Sequence, residues 1–438
     1  MERRDFLKLA SVAGLTVVSG GVASNANAFD PKSKTLWLFV NAGGGWDPTS
    51  SVDPKGAVNG VFPNKYPASA IKQVGNIRWA PMDASPDVIA NGNLDTSGID
   101  AFFNTYYNDL LVINGVDTAT NSHDAGSRNT WSGGLVEGRA SLAAMIAAAQ
   151  AKESPMSFIT NGGYDFTGGI VGATRTGNID AIISVAYPNR FDAQRADSST
   201  YHSDLSSGFI HQARQARYEA LTAKQRLPRV KAAMNRLYTA RLGQNELAQL
   251  TQYLPAELEG GMAGQAQLAF AAYQAGLCVS ANINAPGGYD THGDSDVGQT
   301  AGLSELFPQL GRVLQLAEEQ GIRQNVAIVV GSDFGRTPGY NDGNGKDHWS
   351  ITSMLAMGYI NGRKIAGNRV VGLTDDGHNP VTIDPTSLAA SGSGQRITPA
   401  VVHRELRKLA GVDQNAELTQ MFPITDPVEM PGLITLEG

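Results

Sequence analysis

Five near-continuously apolar runs constrain this 438-residue chain more than any other feature: Thr35–Val40, Leu110–Asn114, Leu277–Ile283, Val326–Val330 and Ser353–Ile360. A strand with one wet face alternates apolar and polar residues. These runs do not alternate, so each is expected to be a strand covered on both faces. Helical stretches lie between them. Gly138–Lys152 is Ala-rich with apolar residues at helical spacing, Ala263–Gly276 leads into the third run, Gly302–Gly321 leads into the fourth, and Thr398–Gly411 reads as a helix near the end. Helix-then-strand repetition implies right-handed crossovers and a mainly parallel sheet, hence an α/β fold. Residues 187–260 break the rhythm, being polar, charged and helical. They read as a helical insertion beside the sheet, either a cap over a site or plain outer-layer helices.

The first 28 residues carry an address rather than a fold. Arg3-Arg4-Asp5-Phe6-Leu7-Lys8 is a twin-arginine export motif, with Glu2 where Ser or Thr is usual; a weakly apolar run Leu9–Ala23 follows, and Ala26-Asn27-Ala28 is a small-x-small cleavage site. The run is too short and too rich in Gly and Ser for a membrane span, which needs ~20 apolar residues. The expected location is therefore periplasmic or extracellular, with the twin-arginine machinery as a partner. Residues 29–438 remain after cleavage, enough for one large α/β domain or two smaller ones. The single Cys278 rules out an intramolecular disulfide, and its apolar surroundings suggest buried packing. The net charge is -7; residues 1–28 hold three positive and two negative charges, leaving the rest at -8. Such an acid balance argues against nucleic acid or an anionic membrane as the main partner.

The polar loops beside the apolar runs carry the chemistry. After the first run comes Asn41-Ala42-Gly43-Gly44-Gly45-Trp46-Asp47. After the second come Thr120-Asn121-Ser122-His123-Asp124. The third leads to Gly287-Gly288-Tyr289-Asp290-Thr291-His292, the fourth to Ser332-Asp333-Phe334-Gly335-Arg336, and Asp347-His348 precedes the fifth. In a parallel sheet the loops after the strands share one edge, so distant Asp, Ser and His residues converge there. Asp and His suit Zn²⁺, Mn²⁺ or Mg²⁺. Asp290 and His292 reach one ion if the backbone is extended; otherwise they are a loop-structuring Asp and a surface His. The Gly-rich loop Asn341–His348 resembles a calcium loop but lacks the bidentate Glu at its twelfth position. The glycines 43–45 match no phosphate-cradle pattern and are expected to turn the backbone so that Asp47 enters the site. Arg336 reads as a fork for a substrate anion or as an ion-pair partner. Ser122 reads as a metal-activated nucleophile or as a helix-capping turn residue, and His123 as a ligand, an acid donor or a packed ring. No G-x-S-x-G elbow is present.

Taken in order, the twin-arginine start, the Gly-Gly-x-Asp47 loop, Ser122-His123 with Trp131 beyond it, Gly-Tyr-Asp290-Thr-His292, Ser-Asp333-Phe-Gly-Arg336-Thr-Pro and Asp347-His348 resemble the exported family called domain of unknown function 1501. That family in turn is similar to a distant branch of the alkaline phosphatase and sulfatase superfamily. The resemblance implies a three-layer α/β/α sandwich and hydrolysis or transfer of phosphate or sulfate esters with one or two divalent ions. It implies metal ligation by Asp47, by Asp290 and His292, by Asp333 and by His348, with Ser122 as nucleophile. The pattern departs at Phe334, where the superfamily has His after the Asp, and in the close spacing of Asp290 and His292. His123, Asp124 or Asp347 would have to supply the missing ligand.

The expectation is therefore an exported hydrolase acting on a small anionic ester through one or two ions of Zn, Mn, Mg or Ca. Asp47, Asp290, His292, Asp333 and His348 would hold metal, with Ser122, His123 and Arg336 in the chemistry. The rival expectation is a non-catalytic exported binding or cell-surface protein that keeps a degenerate metal site.

Overall fold

The computed structural model describes residues 29–437, apart from 59, 61, 176, 228–229, 232–233 and 235–243. The export motif and its cleavage site lie outside the described residues. The expected three-layer α/β/α sandwich is what the chain forms. Its core is a nine-stranded sheet. In chain order the strands are β1 (Leu36–Asn41), β2 (Leu111–Asp117), β3 (Phe158–Thr160), β4 (Ala173–Thr174), β5 (Ser280–Asn284), β6 (Val326–Gly331), β7 (Ile351–Ile360), β8 (Arg363–Lys364) and β9 (Arg369–Val371). Their order across the sheet is β9-β2-β7-β6-β1-β5-β3-β4, with β8 paired to β7.

The side chains of β1 show why the sheet needs two covers. Leu36, Leu38 and Val40 enter one apolar cluster and Trp37 and Phe39 the other. Successive strand residues point to opposite faces, so an unbroken apolar run requires a helical layer on each. The first cluster is closed by α1 (Ser97–Tyr106), α5 (Gly261–Gln274) and α6 (Ser295–Glu319). The second takes α3 (Leu142–Gln150), α7 (Pro399–Leu409) and Trp131 of α2 (His123–Ser132). The helical stretch at 187–260 yields α4 (Asp204–Lys224), which has no buried residue, and a short helix at Gln244–Leu250 among the described residues.

Two departures from the expected pattern matter for the site. First, β7 runs antiparallel to both β6 and β2, while the other long pairings are parallel. No crossover helix joins β6 to β7, and a chain that returns without one comes back antiparallel. The start of β7 therefore lies at the same edge as the ends of β1, β2, β5 and β6. Second, α6 begins at Ser295, seven residues before the apolar periodicity suggests. Ser295, Asp296, Gln299 and Thr300 in its first turns are buried polar residues, so apolar spacing does not reveal them. Strand β2 also continues through Gly115, whose φ of 68° is open to glycine at little steric cost, opposite the register shift at Thr352/Met354.

Candidate metal centre

The register of the sheet gathers the site. Asn41 of β1 lies beside Gly331 of β6 and Asn284 of β5. The loops bearing Asp47, Asp333 and Asp290 therefore leave the sheet at one level. From the other side, β2 delivers His123 at the first turn of α2. The return into β7 delivers His348, which pairs with Arg336 in a two-strand ribbon.

Three imidazoles meet on one carboxylate. His292 Nε2 and His348 Nε2 each lie 3.1 Å from Asp290 Oδ1, and His123 Nε2 lies 3.5 Å from Asp290 Oδ2. The Nε2 atoms of His292 and His348 are 3.0 Å apart. Ligand atoms of His123, Asp290 and His348 all fall within 4.8 Å of one another, a group able to hold a metal ion. Ligands at ~2.0–2.1 Å from a tetrahedral ion stand ~3.3 Å apart, close to these spacings.

Each ring's other nitrogen is anchored. His123 Nδ1 is 2.8 Å from Asp333 Oδ2, His292 Nδ1 is 2.9 Å from Asp347 Oδ1, and His348 Nδ1 is 2.8 Å from the Asn121 carbonyl oxygen. Carboxylates and carbonyls accept, so the tautomer assigned from them places the proton on Nδ1 and leaves a lone pair on Nε2. His292 and His348 then aim lone pairs at each other and at a carboxylate oxygen. That arrangement requires a cation between them, a metal ion or an added proton. An imidazole whose second nitrogen is fixed by a carboxylate or carbonyl is the usual setting of a metal-ligating histidine. The residues fit a metal.

The support beneath is rigid. Burial would raise the Asp290 carboxyl, but the Arg336 guanidinium, and His348 when its Nε2 carries a proton, outweigh it and hold the group at about 2. Asp347 is lowered by its bonds from His292 and Asn341. Arg336 is fully buried: Nε donates to the Gly45 carbonyl at 2.7 Å, Nη1 to the Lys346 carbonyl at 3.1 Å, and Nη2 to the Gly44 carbonyl and to Asp290 Oδ1, the latter at 2.8 Å. Its donors hold Asp290 and the glycine loop, and the structure shows it positioning a carboxylate rather than reaching out to an anion. Phe334 forms the floor, its ring centroid 4.8 Å from that of His123 and 4.4 Å from that of His348. A Cβ on Gly45 would come within 2.5 Å of the Phe334 ring. The glycine loop thus serves close packing, and the Gly44 amide donates to Asp333 Oδ2 at 3.0 Å.

The candidate residues do not all converge. Asp290, His292, His348 and His123 do. Asp333 stands behind His123 as its anchor. Asp47 is drawn elsewhere: it is fully buried, 2.6 Å from the Lys346 ammonium, and lies outside the His123–Asp290–His348 group. Ser122 is exposed at the N-cap of α2, and its side chain makes no capping bond. Sequence reasoning missed Lys346, and it missed the anchoring roles of Asp347 and the Asn121 carbonyl. Position next to His348 was the one available signal for Asp347. Nothing in the sequence marks a backbone carbonyl as an anchor.

A family model described as "Protein of unknown function (DUF1501)" matches residues 33–418. The chain belongs to that family. The match carries the DUF1501 assignment across the whole sheet and every residue of the centre. No curated protein matches the chain. Among solved structures, this DUF1501 chain is similar to the PsFucS1 sulfatase from Pseudoalteromonas sp., at 12% identity over 95% of this chain and 73% of that one, with a TM-score of 0.34. It is also similar to a phosphonate monoester hydrolase of Agrobacterium radiobacter, at 12% identity, 86% and 74% coverage and a TM-score of 0.33. A second phosphonate monoester hydrolase, from Silicibacter pomeroyi, gives 11%, 86%, 73% and 0.31. Overlap this slight says nothing of chemistry, which rests on the residues themselves. Among the described residues no helix is long and apolar enough to cross a membrane.

Proposed function

We propose that this protein is an exported metal-dependent hydrolase of small phosphate or sulfate esters. One observation carries the reading: three imidazole nitrogens with anchored partners converge on Asp290 at an open edge of the sheet. His123, Asp290, His348 and His292 would hold the ion. A nitrogen-rich donor set favours Zn²⁺ or a similar transition ion over Mg²⁺ or Ca²⁺, which take oxygen. Such an ion supplies Lewis acidity toward an ester oxygen and lowers the pKa of a bound hydroxyl. Ser122 supports the reading as nucleophile. Its hydroxyl is exposed, makes no capping bond, and stands at the N-terminus of α2, where partial positive charge favours an oxyanion. Asp333 and Asp347 would keep the His123 and His292 lone pairs turned inward. Export rests on Arg3-Arg4 and Ala26-Asn27-Ala28.

A second reading keeps the metal and drops the turnover. It is favoured by Arg336, which is fully buried with its donors engaged by backbone carbonyls and Asp290. The test is elemental analysis of residues 29–438 purified without chelator, followed by hydrolysis assays on p-nitrophenyl phosphate, its diester and p-nitrophenyl sulfate. Bound metal with turnover that disappears in Asp290→Asn supports the hydrolase. Metal without turnover on any of the three supports the binding protein. Absence of metal after loading with Zn²⁺, Mn²⁺, Mg²⁺ or Ca²⁺ ends both.

A further inference from the structure

We infer that the metal centre is mononuclear, because the Lys346 ammonium permanently fills the cation position at Asp47. The inference rests on the reading of His123, Asp290 and His348 as a metal site, and it removes Asp47 from the set of ligands.

Asp47 has no acceptor capacity left for an ion. An ionised carboxylate offers about four lone-pair directions. Oδ1 receives the Thr49 amide at 2.9 Å and the Thr49 hydroxyl at 2.7 Å. Oδ2 receives the Ser50 hydroxyl at 3.1 Å and Lys346 Nζ at 2.6 Å. Asp47 and Lys346 are both fully buried. The ammonium is held from further sides: it donates to Thr49 Oγ1 at 3.1 Å and lies 4.9 Å from the centroid of the Tyr340 ring. A lysine on a free stem would swing away for an incoming ion, but this one is tethered at its backbone. Its amide donates to the Thr291 carbonyl at 3.1 Å, and its own carbonyl accepts from Arg336 Nη1 at 3.1 Å. A divalent ion at Asp47 would have to displace the ammonium or sit against it, two cations sharing one buried carboxylate. The resident charge already neutralises Asp47.

Lys346 also adjoins the centre along the chain. Lys346 immediately precedes Asp347, which anchors His292, and His348, which faces Asp290.

The test is metal stoichiometry by elemental analysis after loading with Zn²⁺ and removal of the excess, on residues 29–438. One equivalent is expected in the native protein, one in Asp47→Asn and none in Asp290→Asn. Asp47→Asn leaves Lys346 without a counter-ion and risks misfolding. The double variant Asp47→Asn/Lys346→Met removes both charges together, and it too is expected to bind one equivalent. Two equivalents in the native protein, falling to one in Asp47→Asn or in the double variant, overturn the inference and leave the metal reading intact. No equivalent in the native protein overturns both.

Discussion

Asp47 and Asp290 follow neighbouring parallel strands, leave the sheet at one level, and each meets a buried basic residue; their surroundings make them opposites. Asp47 is sealed, with every acceptor direction filled from within the chain. Asp290 gives part of Oδ1 to Arg336 and keeps the rest at an edge where it is 47% exposed among three imidazoles. One carboxylate has been supplied with its cation by the fold. The other shares Arg336 with three backbone carbonyls and faces three imidazoles, so some of its acceptor directions stay open. A strand-end aspartate is thus a binding group only when the elements around it leave some of its acceptor directions open.

The widest separation between the two regions is expected from removing each carboxylate's partner set. Asp290→Asn or His348→Ala should abolish metal retention outright in elemental analysis, and His348→Ala should do so while leaving the urea midpoint of the apo protein near native. Lys346→Met should do the reverse in kind, costing about 3–5 kcal/mol of stability because it strands a buried carboxylate. Most of that should return in Asp47→Asn/Lys346→Met, measured by urea unfolding of apo protein. If the single and double variants are equally unstable, the sealed pair is not a closed electrostatic unit and the comparison breaks.

A smaller effect sharpens the anchoring argument. Asp333→Asn and Asp347→Asn leave the ligands in place but weaken the fixing of His123 and His292. Each should lower Zn²⁺ affinity by about 10–100-fold in competition with a chromophoric chelator. Unchanged affinity would mean that these carboxylates do not set the ring tautomers.

His403, remote from the centre, shows what an imidazole does when it is buried with nothing to bind. Nε2 donates to the Thr130 carbonyl at 2.8 Å and Nδ1 has no partner. Burial, aided by the charge of Arg407, pushes it down from 6.5 to about 3. Its folded value lies below its unfolded one, so the unfolded chain takes up the proton first. Stability from the neutral ring is whole above pH ~6.5 and is lost as pH falls toward about 3, amounting to about 2 kcal/mol between pH 7 and pH 5. His403→Gln should flatten the urea-derived stability over that range; an unaltered slope would place the titration elsewhere.

Legibility in the sequence followed burial. Strands β1 and β6 read correctly to within a residue because both faces are covered and nearly every position is apolar. The start of α6 did not, because its first turns bury polar groups that are satisfied by distant partners: Asp296 accepts from the Ser85 and Tyr340 hydroxyls, and Gln299 accepts from the Asp47 amide. Asp290, His292 and His348 were legible as a potential ligand set from their strand-end loops. That His348 comes before its strand was no obstacle only because β7 runs antiparallel. The role expected of Asp47 depended on a lysine 299 residues away, which no local pattern links to it.

Apolar continuity therefore pointed to a sheet covered on both faces, and the repetition of helix then strand to one that is mainly parallel. Spacing alone placed aspartates and histidines at the ends of those strands. Which of them keeps open acceptor directions was decided only in three dimensions. A buried carboxylate's fate is set by the nearest cation in space, and it is tertiary packing that brings Lys346 to Asp47 and three imidazoles to Asp290.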